Sequence, residues 1–274
     1  MKGLKVSPKL LYLPSNTEGN DYIVGDLHGM FDELLKVLKH VGFNSKDRLF
    51  SVGDLIDRGP KSIELLREFR IRDNWYFVKG NHEHMMIKSI VDKNANDYNL
   101  WLSNGGNWIF SENDDELTEA AIWMSENIPT IIVIGENENR FNICHAEILN
   151  HRTIEGATNK QIDEWDFDFR EEDALIWGRS IYNSYEQDYF INNNPFLFHS
   201  PTELSTTYVG HTPHFLEKDN LSLLKLEKNI YMDTGACFMN HNRYKDEALL
   251  SVLNHTTKQT YFLNNKGEII EGVL

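Results

Sequence analysis

The sequence predicts an α/β fold, two packed β-sheets with helices outside, and three observations carry that expectation. Three short apolar runs, Tyr22-Ile23-Val24, Leu49-Phe50-Ser51-Val52 and Trp75-Tyr76-Phe77-Val78, each lead into a polar glycine turn and then a helical pattern. Strand, turn and helix repeated three times describe βαβ units of a parallel sheet with functional groups at its carboxyl edge. The back half adds further short strand-like runs, for which two sheets with helices outside are the simplest burial. No internal repeat, low-complexity tract or linker interrupts the 274 residues, so one domain over 1–274 is expected. The front half reads as mostly parallel and the back half as antiparallel.

In order along the chain, residues 1–19 read as an irregular or edge-strand lead-in. Phe31, Leu34, Leu35 and Leu38 mark an amphipathic helix to Val41. Pro60 stands where a first-turn proline belongs, ahead of Ile63, Leu65, Leu66 and Phe69. A helix is predicted over Met85 to Val91, then an Asn-rich piece ending in the turn Ser103-Asn104-Gly105-Gly106. Leu117, Ala120, Ala121 and Met124 line a helix from Glu116 to Asn127, closed by Pro129. Thr130 to Ile134 and Arg140 to Cys144 form paired strands. Thr153 to Asp173, acidic and aromatic without clear periodicity, reads as a surface excursion. Strands follow at Tyr208-Val209, Ile230 to Met232, Leu249 to Leu253 and Thr260 to Leu263.

Composition narrows the function. Lysine and arginine number 27 against 42 aspartate and glutamate, a net charge of −15. Such a chain lacks the basic faces of a general nucleic-acid binder, though a bound cation can reverse the field locally. No apolar run approaches the ~20 residues of a membrane span, and Pro8 and Pro14 leave no signal-peptide core. Cys144 and Cys237 make no CxxC pair or disulfide framework. A cytoplasmic protein with reduced thiols, away from membrane and nucleic acid, is expected.

The turns carry chemistry. Asp26 and His28, two residues apart, can face one ion. Asp54, closing the next strand, offers two oxygens and can bridge two ions; Asn81 offers a neutral oxygen. His145 and His211 follow strand-like runs further on. Mixed imidazole and oxygen donors suit manganese, iron or zinc better than calcium or magnesium alone. One bridging carboxylate between two partial ligand sets is the plan of a two-metal site, where ions ~3.5–4 Å apart clamp both oxygens of an in-line displacement. His82 adjoins Asn81 and can protonate a leaving ester oxygen. Asp57 can keep that ring protonated, and Arg58 offers a fork for two phosphate oxygens. Water activated between the ions would attack directly, so no Ser or Cys nucleophile is required.

Gly25-Asp26-Leu27-His28-Gly29, Gly53-Asp54-Leu55-Ile56-Asp57-Arg58-Gly59 and Gly80-Asn81-His82-Glu83 together resemble the phosphoprotein phosphatase family of calcineurin-like metallophosphoesterases. The resemblance continues through His145, Trp177-Gly178-Arg179, Gly210-His211-Thr212-Pro213 and Tyr231-Met232-Asp233-Thr234-Gly235-Ala236, covering about Tyr22 to Phe238. With Trp101-Leu102-Ser103-Asn104-Gly105-Gly106, the order is most similar to the bacteriophage and bacterial branch. It implies a four-layer α/β/β/α sandwich of two mixed sheets and two divalent ions, usually manganese. It also implies hydrolysis of phosphoserine, phosphothreonine and sometimes phosphotyrosine. Asp26, His28 and Asp54 would hold the first ion; Asp54, Asn81, His145 and His211 the second. His82 would donate the proton with Asp57 behind it, and Arg58 and Arg179 would bind phosphate. A phosphorylated protein or peptide is the implied partner, and a monomer suffices for the site.

Plainer readings compete with these. Asp-Leu-His alone is an ordinary turn; only the ordered set makes it a ligand. His82-Glu83-His84 lacks the H-E-x-x-H spacing of a zinc protease, so His84 is expected on the helix surface or behind the ligands, and Glu83 as a brace of the helix start. Asp233 and Thr234 read as holding a strand end. Cys144 and Cys237 read as packed thiols. His199, His214 and His241 read as surface residues, with His214 the one able to line the cleft. Within the same fold the competing substrate is symmetrical diadenosine tetraphosphate. The Glu after His82 leans away from it, because that sister group more typically has Asp there. A non-catalytic metal-binding scaffold would require a lost catalytic residue, and none is missing.

Overall fold

Alternating side chains sort the strands into layers, since successive residues of a strand face opposite sides of its sheet. The structure is a computed structural model that describes residues 8–152, 156–187, 203–216 and 221–274; His199 lies outside them. Its elements run β1 (Leu10–Leu13), β2 (Asp21–Val24), α1 (Phe31–His40), β3 (Arg48–Ser51), α2 (Ser62–Ile71), β4 (Trp75–Phe77), α3 (Asn81–Ile90), α4 (Ala95–Ser103) and α5 (Asp114–Asn127). Then come β5 (Ile131–Ile134), β6 (Phe141–Cys144), α6 (Asn159–Asp163), α7 (Phe169–Trp177), α8 (Ser180–Glu186) and β7 (Thr206–Val209). The chain closes with β8 (Lys225–Leu226), β9 (Asn229–Tyr231), β10 (Leu249–Asn254), β11 (Gln259–Asn264) and β12 (Ile269–Val273).

Two mixed six-stranded sheets result, ordered β12-β11-β10-β2-β3-β4 and β1-β5-β6-β7-β9-β8. Ile23, Phe50 and Leu253 of the first meet Ile132, Ile134 and Ile143 of the second in a shared core. Their neighbours Tyr22, Val24, Leu49 and Val252 face outward onto α1–α5. Ile131, Val133, Cys144 and Val209 face outward onto α7 and α8. Helices, sheet, sheet and helices make four layers.

Four expectations change. β6, β7 and β9 run parallel, so the back half is not an antiparallel unit; among the described residues the antiparallel pairs are β5–β6, β8–β9, β2–β10 and those of the β10–β12 meander. Parallel neighbours need a long crossover, and the stretch taken for a surface excursion supplies it with α6 and α7. Its signals are local: the Thr158 hydroxyl accepts Gln161 N–H at 3.1 Å, and Asp168 with Glu171 closes a capping box. The Asn-rich piece holds α4, capped by the Asn94 side chain. Helix α3 starts four residues before Met85, at Asn81, because the third polar turn is itself the helix N-terminus.

Candidate metal centre

The three front turns are laced into one shelf. Leu27 and His28 N–H donate to Asp54 O at 3.0 and 2.8 Å, and Gly29 N–H to Leu55 O at 2.8 Å. The Glu83 carboxylate accepts N–H groups of Asp54, Leu55 and Gly80 at 2.9, 2.8 and 2.9 Å. It is wholly buried; burial, with Asp54 beside it, pushes its pKa up to about 8. Leu27, Leu55 and Ile56 are fully buried anchors beneath the turns, each worth roughly 1.5–3 kcal/mol. That burial offsets backbone strain. His28, Asp54, Asp57, Arg58 and His211 adopt left-handed φ of 43°, 51°, 75°, 67° and 67°, at ~1–2 kcal/mol apiece. Two glycines are required by close approach: a Cβ would stand 2.2 Å from Asp54 Oδ1 at Gly80, and 2.0 Å from Asp26 Oδ1 at Gly210.

From the second sheet, His145 follows β6, His211 follows β7 and Asp233 follows β9. Two buried donor groups then share one carboxylate. Ligand atoms of His28, Asp54 and His82 lie within 4.8 Å of one another, as do those of Asp54, His145 and His211. The tautomers follow from their partners. His145 Nδ1 donates to Val52 O at 2.7 Å, so Nε2 is a bare lone pair. That lone pair faces Asn81 Oδ1 at 2.9 Å and Asp54 Oδ1 at 3.5 Å. His211 Nδ1 meets the same Asn81 oxygen at 2.9 Å, and the Trp177 backbone takes the ring's other N–H. Acceptors gathered face to face repel unless a cation joins them. The donor set therefore fits divalent cations.

Charge agrees with that fit. Burial pushes the His28 and His145 rings below the usual range and His211 to about 2, holding them neutral, the state that binds metal. Asp26 is raised well above the carboxylate range by burial, then by Asp233 and Asp54; burial lifts Asp233 to about 6. Carboxylates crowd here around the Arg58 guanidinium. Asp26 accepts His211 N–H at 3.2 and 3.1 Å, beside the two tight groups rather than within them.

His82 is set apart by its partner. Its Nδ1 lies 2.5 Å from Asp57 Oδ2. Burial lowers its pKa, but the charges of Asp54 and Asp57 outweigh it and the net shift is upward. Asp57 also takes the indole N–H groups of Trp101 at 2.9 Å and Trp108 at 2.6 Å. Arg58 reaches His28 Nε2 at 2.7 Å and His82 Nε2 at 2.9 Å. Protonating His82 Nε2 turns that last contact from a hydrogen bond into a repulsion, so a charged His82 releases Arg58. Arg179, exposed, donates to His211 O at 3.1 Å. Ile181 and Tyr182 N–H donate to buried Glu147 at 2.9 and 3.1 Å, pinning α8 directly behind Arg179.

Sequence reasoning missed the two indoles and Glu147. Trp101 stood in a matching segment, but nothing local tied it to Asp57. Cys237 is half-buried with Sγ 3.7 Å from Arg58 Nη1, not in the core; Cys144 is packed, its thiol donating to Leu175 O. His84 is half-buried rather than on the surface, and burial lowers it to about 4. Thr234 ties strand ends through Leu249 O at 2.8 Å, as expected. Tyr182 OH lies 3.2 Å from His214 Nδ1, and His241 is exposed.

A two-sheet sandwich with cation-binding turns at its carboxyl edge defines a class, and residues 22–223 match the calcineurin-like phosphoesterase family. The chain belongs to that family. It is 39% identical over 130 residues to serine/threonine-protein phosphatase 2 of Escherichia coli K12, covering 46% of this chain and 57% of that protein. It is 38% identical over 141 residues to a symmetrical bis(5'-nucleosyl)-tetraphosphatase of Vibrio campbellii, covering 50% and 48%. These matches span about half the length of the curated relatives. A protein serine/threonine phosphatase from Saccharomyces cerevisiae shares the fold, at TM-score 0.57 and 16% identity over 98% of this chain and 84% of that one. Among the described residues no helix is long and apolar enough to cross a membrane.

Proposed function

We propose that this chain is a metal-dependent phosphatase that removes phosphate from phosphoserine and phosphothreonine. The observation that carries the reading is the pair of buried donor groups sharing Asp54, with bare imidazole lone pairs turned toward oxygen. Asp26, His28 and Asp54 would hold one divalent cation, and Asp54, Asn81, His145 and His211 the other. The mixed donor set suits manganese, iron or zinc, and the family resemblance favours manganese among them. When bound, the two ions supply charge for the phosphoryl oxygens and activate water.

The remaining steps fall to the chain. Arg58, released as His82 takes a proton, forks onto two phosphate oxygens, and Arg179 meets the phosphate from the α8 side. His82 donates its Nε2 proton to the leaving ester oxygen. Asp57, fixed by two indoles, holds the ring in line and stabilises its charged form. One chain brings all these groups together, so a monomer suffices. The free thiols of Cys144 and Cys237 fit a reducing cytoplasm.

The second reading, cleavage of diadenosine tetraphosphate, is favoured by the Vibrio relative. Phosphate release from a phosphoserine/phosphothreonine peptide, and nucleotide release from diadenosine tetraphosphate, separate the two when each is run with manganese and then with chelator. Chelator-sensitive release from the peptide, with the dinucleotide largely intact, is expected. The reverse preference keeps the metal assignment and overturns the substrate.

A further inference from the structure

A groove of about 310 Å³ opens beside the metal centre, lined by Lys79, His84, Trp165, Phe169 and Trp177 among others. It adjoins the ligands on two sides. The Trp177 ring stands edge-on to His211, centroids 6.1 Å apart. Lys79 lies two residues before Asn81, and half-buried His84, in the first turn of α3, lines the same groove.

The charges along the groove are unevenly satisfied. At the outer end Lys9 pairs with Glu172 at 2.9 Å and lies 4.8 Å over the Trp165 ring, while Trp165 N–H donates to Glu172 at 2.7 Å. That triad is closed. Lys79, half-buried at the inner end, has no ion-pair or hydrogen-bond partner among the described residues, and the His84 ring has no hydrogen-bond partner among them. The nearest acid, Glu172, acts on Lys79 only from a distance and is held by Lys9, so the half-buried ammonium keeps room for an anion in direct contact. Phe169, 77% exposed, and Trp177 offer apolar walls. One open cation matches one carboxylate. A tetraphosphate would bring several charges past exposed Asp173, more than one ammonium can answer.

We propose that this groove is a specificity subsite for an acidic residue flanking the phosphorylated side chain of a peptide substrate. Lys79 holds its carboxylate, and Trp177 and Phe169 pack its aliphatic stem and backbone. The proposal rests on the phosphatase reading above.

Its test uses phosphoserine peptides with Glu or Ala at each flanking position, with para-nitrophenyl phosphate as a substrate too small to enter the groove. The manganese-loaded parent is expected to prefer one Glu peptide over its Ala counterpart by ~10-fold in kcat/KM, through KM. Lys79→Met should erase the preference and Lys79→Arg keep it, with turnover of para-nitrophenyl phosphate within about twofold throughout. Calorimetry with phosphonate analogues of the same peptides should show the same ~10-fold in Kd. A parent that cleaves Glu and Ala peptides equally overturns the subsite and leaves the phosphatase reading standing. Equal losses on every substrate in Lys79→Met, or a loss confined to diadenosine tetraphosphate, also overturn it. A parent that cleaves para-nitrophenyl phosphate but no phosphopeptide overturns both.

Discussion

The two ends of the same strands treat charge in opposite ways. At the amino edge, Asp21 at the start of β2 is gripped by the Arg48 fork, with two contacts of 2.7 Å. Asp47 there accepts Asn20 N–H at 2.8 Å and Asn44 N–H at 2.9 Å. Protein groups answer both carboxylates. At the carboxyl edge, Asp26, Asp54 and Asp233 crowd together, and histidine lone pairs face oxygen. There the carboxylates outnumber the one guanidinium among them, Arg58, and strained, buried turns hold them in place. One end is a scaffold complete in itself; the other is built for an ion.

The sharpest way to break this contrast is Asp54→Asn. It should lower phosphatase activity by at least ~10³ and remove one or both manganese ions, read by metal analysis. His82→Asn should keep metal content and reduce kcat by ~10²–10⁴. Unchanged turnover would remove His82 as proton donor. At the other end, Arg48→Met strands buried Asp21 and should destabilise by about 3 kcal/mol in denaturant unfolding, with kcat unaffected.

The smallest effect sharpens the comparison through pH. His255, at the amino edge, accepts from Tyr208 OH at 2.8 Å and stacks on Phe141, and burial lowers its pKa to about 3. Unfolded, it takes a proton near 6.5. Its contribution to stability is therefore whole above ~6.5 and is lost as pH falls toward 3, at most ~1.4 kcal/mol per unit. Asp233, at the carboxyl edge, is raised to about 6. Its neutral form favours the metal-free fold below ~4, and that advantage is lost as pH rises to 6. Unfolding of His255→Gln and Asp233→Asn, each against the parent without metal, should show difference slopes of opposite sign. Parallel slopes would mean that the two ends do not differ in this way.

Much of this was legible in the sequence, for a local reason. Asp26, His28, Asp54, Asn81 and His82 sit in short turns right after strand-like runs, where spacing alone sets which way a side chain faces. The layers were legible too, because alternation along β2 and β3 records two buried faces. The parallel direction of β6, β7 and β9 was not, since their crossover helices carry caps but no strong periodicity.

The sequence by itself determined the ligand turns, the strand runs that lead into them and the acidic surplus that calls for a cation. Only the tertiary structure decided what stands behind and beside them. Trp101 and Trp108 reach Asp57 across 44 and 51 residues. Glu83 ties two turns with one carboxylate, and Lys79 lines one groove with Trp177, nearly a hundred residues along the chain. Spacing encodes what neighbours along the chain do; these contacts join distant segments, and only packing brings them together.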